Sequence, residues 1–165
     1  MKKLRIGFSR PKTWMIGSAL IRLFERAEFS HAYLRWSAES LQRDLVYQAS
    51  HGMVHFVSGA RFDEQAQTVR EYEISLTDEQ FNEVVKKCVD LAGVKYGLLQ
   101  LAGMSLERLS GLRNPFRDGD KTFVCSELVG TVLNILYKID MDLEFAGPRQ
   151  LEKLLSSLSM FKRIA

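Results

Sequence analysis

The chain has 165 residues, 46% hydrophobic and 26% charged with three prolines, a balance that suits one sizeable buried core, so a single domain over residues 1–165 is expected. Its net charge is +3, but Lys and Arg are interleaved with acids and no basic run alternates with aromatics, so nothing calls for nucleic acid. No stretch reaches the roughly 18–20 apolar residues that cross a bilayer, and Arg5, Ser9, Arg10 and Lys12 interrupt the charged N-terminus before it can act as a signal segment.

A cytosolic chain is therefore expected, with Cys88 and Cys125 reduced. In chain order, Leu4–Phe8 alternates into a short strand. Pro11 is positioned to open a helix carrying Trp14, Met15, Ala19, Leu20, Leu23 and Phe24 at helical spacing, to about Ala27. From Phe29 the aromatics of Ser-His-Ala-Tyr-Leu-Arg-Trp recur at a period of two, a strand beginning beside His31 and followed by a polar break over 37–44. Leu45–Ala49 and Met53–Val57 are two further strands about the His51-Gly52 turn, and Thr68–Ile74 joins the antiparallel meander. Thr77 caps a helix with Gln80 three residues on; Phe81, Val84, Val85, Cys88 and Leu91 share its apolar face, and Gly93 ends it. Leu98–Asp120 runs from an apolar segment into a loop-like cluster. Phe123–Leu136 is again helical, and Gly147-Pro148 opens a last helix with Leu151, Leu154 and Leu155.

Phe-Val-Cys-Ser-Glu-Leu-Val sets Cys125 where a loop enters a helix, so unpaired N–H groups and the positive end of the helix dipole face its sulfur. That setting is expected to lower a thiol pKa from about 8.5 toward roughly 3.5–7.5 and to hold an oxyanion on a substrate carbonyl. Free cysteines are also among the most buried residues, and Cys88, mid-helix among Val84, Val85 and Leu91, is assigned to the core. A cysteine nucleophile needs a base. His31, opening its strand at the end of the sheet, is the candidate; His51 in a turn and His55 on a strand each retain a claim. Gln48, the one polar residue inside Leu45–Ala49, is either the group that orients the imidazole or a side chain facing water.

These stretches resemble the circularly permuted branch of the NlpC-type papain-like cysteine hydrolases, the YiiX-like group to which the lecithin:retinol acyltransferase family is related. Phe29–Leu34 is similar to the family's Ser-His-Val-Gly-Ile strand, Val46–Ala49 to its Val-Ile-Glu-Ala strand and Phe123–Val129 to its Cys-Ser-Glu-Leu-Val helix. Gly147–Leu151 resembles its Pro-x-Asp-Leu segment. The resemblance implies an α+β papain-like fold: an antiparallel sheet packed against helices, the nucleophile at a helix N-terminus, and histidine preceding cysteine in the chain. It implies Cys125, His31 and Gln48 as the catalytic set and Tyr96 and Ser126 as substrate-binding residues, with no metal or cofactor. Gln48 stands where many members have glutamate, and Ala32-Tyr33 where Val-Gly is common. A neutral amide stabilises imidazolium less than a carboxylate does, so modest turnover is expected.

The implied activity is hydrolysis of an amide or ester bond: Cys125 attacks the carbonyl, His31 protonates the leaving group and water cleaves the acyl-enzyme. Peptides, peptidoglycan fragments and acyl lipids are the implied substrates; a wall substrate would need a delivery route such as a phage particle. One alternative is a non-catalytic scaffold with Ser105–Lys121, bearing Arg108, Arg113 and Arg117, as contact surface. Another is a lipid acyltransferase, which requires an apolar groove or membrane-facing patch; no hydrophobic anchor for one is legible in the sequence.

Overall fold

A computed structural model of the chain describes residues 1–96, 111, 122–138 and 147–165. Apart from Gly111, the stretch Leu98–Asp120 lies outside the described residues. The fold is α+β. Its sheet is built on β1 (Lys2–Pro11), β2 (His31–Ala38), β3 (Arg43–Ser50), β4 (Met53–Ser58) and β5 (Ala66–Leu76). The two-residue strands β6 (Lys95–Tyr96), β7 (Thr122–Phe123) and β8 (Lys162–Arg163) extend its edges, and the order among the described residues is β7-β6-β4-β3-β2-β1-β5-β8. Neighbours are antiparallel except β6 and β7.

Alternation assigns the faces. Leu4, Ile6 and Phe8 of β1, Ala32, Leu34 and Trp36 of β2, Tyr47 and Ala49 of β3, and Tyr72, Ile74 and Leu76 of β5 enter one core. Helices α3 (Asp78–Leu91), α4 (Cys125–Tyr137) and α5 (Pro148–Ser157) contribute Val84 and Cys88, then Leu128, Val129, Val132 and Leu133, then Leu151 and Leu155. A second, smaller cluster forms from Tyr33, Val46 and Phe62, the last on α2 (Gly59–Gln65).

The capping logic of α3 is as expected: the Thr77 hydroxyl accepts from the Gln80 N–H at 3.2 Å and the Gln80 side chain accepts from the Thr77 N–H at 3.0 Å. Pro11 does not open a helix. It ends β1 opposite Ala66, beyond the last β1–β2 pair, Ser9↔His31, so the residue lacking an N–H sits where one edge of β1 is free. Helix α1 starts later and spans Ile16–Glu25. Helix α2, begun by a Ser58 cap, is too short to display a helical period in the sequence. Among the described residues no helix is long and apolar enough to cross a membrane.

Candidate active site

The start of α4 shows what each residue of Val-Cys-Ser-Glu does. Val124 is the N-cap, and the first helical hydrogen bond runs from the Leu128 N–H to the Val124 carbonyl at 3.1 Å, which leaves the preceding N–H groups without a helical partner. Buried Glu127 bends back, its Oε2 accepting from the Val124 N–H at 2.9 Å. The N–H groups of Cys125 and Ser126 remain for the Cys125 sulfur, joined by the Ala32 N–H from β2. Ser126 is itself buried, so it is the backbone of this residue that bears on the thiol.

Cys125 is only 2% exposed. Burial pushes its thiol up to about 11; the Ala32 N–H opposes this, the Glu25 carboxylate adds to it, and the helix-start N–H groups oppose it. The acidified thiol expected from the helix end is therefore not what the structure holds, because desolvation of the thiolate outweighs the oriented amides. Cys88 has no such donors and burial pushes it up to about 12, the core residue it was expected to be.

His31 opens β2. The β2–β3 ladder starts only at Leu34↔Tyr47, and across the strand beginning the His31 ring reaches Gln48, Nε2 to Oε1 at 2.9 Å. Gln48 faces His55 in the β3–β4 register, with Nε2 atoms 3.4 Å apart, and His55 Nδ1 lies 3.2 Å from the Met53 carbonyl. Donor capacity assigns the protons along this chain. The Met53 carbonyl accepts only, so His55 carries its proton on Nδ1. Its Nε2 then accepts from the Gln48 amide NH₂, and Gln48 Oε1 accepts from His31 Nε2–H. The lone pair of His31 Nδ1 is left to take up a proton.

Burial lowers the His31 imidazole to about 4 against the opposing Gln48 hydrogen bond, and the neighbouring His55 and His51 rings lower it further. Thiol and imidazole are thus both neutral at pH 7. No hydrogen bond links them among the described residues; the Ala32 N–H, on the residue after His31, favours the Cys125 thiolate. His51 stays in its turn, 3.1 Å from the Ser50 hydroxyl. The Tyr96 backbone pairs with Phe123 between β6 and β7, and its side chain lies outside the described residues.

Glu25 is the site residue the sequence did not disclose. It is the last residue of α1, and its Oε2 accepts from the Arg149 N–H at 2.8 Å while its own carbonyl accepts from the Arg149 guanidinium at 2.6 Å. The carboxylate so caps the first turn of α5 and also bears on Cys125. Gly147 makes room for it, since a Cβ there would come within 1.6 Å of Glu25 Oε1. One signal was present: an acid closing a helix opposes the helix dipole and calls for another reason to be there.

No protein-family model and no curated protein sequence matches the chain. Among solved structures, the metalloprotein YiiX of Escherichia coli O157:H7 aligns over 99% of this chain and 95% of its own, with a TM-score of 0.55 and 14% sequence identity. The metal belongs to the description of YiiX. Among the described residues of this chain, no group of three or more His, Cys, Asp or Glu side chains stands at ligand spacing, and the Nε2 atoms of His31 and His55 are both engaged by Gln48. What the two proteins share is the α+β fold.

Proposed function

We propose that this chain is a thiol hydrolase of amide or ester bonds, a circularly permuted NlpC-type papain-like enzyme with Cys125 as nucleophile, His31 as base and Gln48 as the group that orients it. The observation that supports this best is the hydrogen-bond chain from Met53 through His55 and Gln48 to His31, which leaves His31 Nδ1 unprotonated and free to act as a base, in the strand whose Ala32 N–H favours the Cys125 thiolate. Because the thiol is neutral, proton transfer accompanies attack. As the Sγ–C bond forms, the thiol proton passes to His31 Nδ1 and the carbonyl π pair moves onto oxygen, held by the N–H groups of Cys125 and Ser126. Collapse expels the amine or alcohol, which takes the proton from His31. Water, giving a proton to the same nitrogen, then attacks the acyl-enzyme and releases the acid and the thiol. Peptides, peptidoglycan fragments and acyl esters fit this chemistry, and Tyr96 and Ser126 are the proposed substrate contacts, Ser126 through its backbone.

Labelling with a panel of electrophilic acyl probes, followed by mapping of the modified cysteine, tests the proposal. Cys125 is expected to react and Cys88 to be spared. His31→Ala should suppress labelling and Gln48→Ala weaken it less, with circular dichroism showing that each variant folds. Labelling of Cys88 first, or of Cys125 regardless of His31→Ala, removes the enzymatic role and favours a non-catalytic one.

A further inference from the structure

Helix α1 presents large apolar side chains to solvent. Two of its polar side chains are held inward: the Ser18 hydroxyl bonds that of Ser30 at 2.6 Å, and Glu25 is buried against Arg149. Two of its apolar side chains face out. Ile16 is 62% and Leu23 70% exposed, seven residues apart and so on one helix face, and Trp14 and Met15 just before them are 77% and 52% exposed. This exposure is not legible in the sequence, where Trp14, Met15 and Leu23 have the spacing of a core face.

Within α1 the outward charges are basic as well. The first turn of α1 carries no acid, and its single acid, Glu25, is turned inward. Arg22 and Arg26 stand at its C-terminal end, and Lys12 precedes Trp14. A ten-residue helix is about 15 Å long, so one face of it falls well short of the roughly 800 Å² per partner that a stable protein interface buries. An apolar stripe with an aromatic end and a basic rim suits the boundary between headgroups and acyl chains.

We propose that Trp14-Met15 and the outer face of α1 form a docking surface for an anionic phospholipid bilayer. The surface is independent of the hydrolase proposal.

The test uses the full chain with vesicles of phosphatidylcholine alone and of equimolar phosphatidylcholine and phosphatidylglycerol. Trp36 is buried and Trp14 exposed, so a blue shift of tryptophan emission on binding reports Trp14. Co-sedimentation with the anionic vesicles is expected, weakening as salt is raised. Leu23→Ser should reduce partitioning about ten-fold, and Arg22→Gln with Arg26→Gln should reduce it on the order of ten-fold for the anionic vesicles. The proposal is overturned if neither vesicle captures the protein, or if the variants bind as the parent does. It is also overturned if sedimentation equilibrium shows a dimer that Leu23→Ser dissolves, which would assign the face to a second copy. Probe labelling of Cys125 in Leu23→Ser should match the parent, so failure here and failure of the hydrolase proposal read out separately.

Discussion

Cys125 and His31 are kept neutral by the same cause, loss of water, acting in opposite directions on an acid and a base. Alkylation by iodoacetamide follows the thiolate, so with the thiol near 11 its rate at Cys125 should climb about ten-fold per pH unit from 7 to 10. A plateau beginning near neutrality would instead reveal a preformed thiolate–imidazolium pair. Stability carries the mark of His31. Between its ordinary 6.5 and its folded value of about 4 the unfolded chain binds a proton that the folded chain refuses, so stability rises with pH across that window and is lost as pH falls through it. Urea titrations at pH 7 and 4.5 should show the parent losing about 2 kcal/mol more than His31→Asn. The residues of the proposed site stand out in the sequence because each sits on a local motif: a cysteine at a helix start, a histidine at a strand start, a lone glutamine in an apolar strand. The part played by His55 does not, because it depends on the β3–β4 register that seats it opposite Gln48.

Helix ends decide the electrostatics of this site more than helix bodies do. The N-terminus of α4 aims amides at the thiol, while the C-terminus of α1 brings a carboxylate to the N-terminus of α5 and to the same thiol. Glu25→Gln should separate these two effects. An amide oxygen can still accept from the Arg149 N–H, but its charge is gone, so α5 loses about 0.5–1 kcal/mol of dipole stabilisation. With no carboxylate opposing the thiolate, Cys125 alkylation at pH 8 should become faster; thermal melts and rate measurements on one variant therefore move in opposite senses, and a slower reaction would show that Glu25 acts on Cys125 only by holding the helices together. The elements with both a cap and a full apolar period, α3 and α5, were legible in the sequence. The start of α1 is not legible because Pro11 suits the free end of a strand as well as the first turn of a helix, and α2 is too brief to have a period.

For the whole molecule, turn chemistry foretold the β2–β3–β4 meander, but not that β1 lies between β2 and β5. That arrangement rests on pairing between residues far apart in sequence, such as Lys2↔Leu76, which no local pattern encodes. The junction of β1 with β2 contains a close fit. Gly7 stands opposite Tyr33, whose ring crosses it so closely that an added Cβ would lie 2.1 Å from Tyr33 Cζ. Tyr33 has little freedom to retreat: its hydroxyl lies 2.8 Å from Thr68 Oγ1 and donates to Glu71 Oε1 at 3.1 Å, and its ring packs 4.5 Å from that of Phe62. One methyl group at Gly7 must therefore push apart β2, β5 and α2 together, and Gly7→Ala should cost about 2–3 kcal/mol in urea denaturation, the upper range for overpacking. Tyr33→Ala alone should cost about 3–5 kcal/mol through the lost ring. Combined, the two substitutions should cost clearly less than their sum, because the alanine methyl enters space the ring has vacated. Additive costs would mean that the strain of Gly7→Ala is borne by the backbone of β1 rather than by the Tyr33 ring.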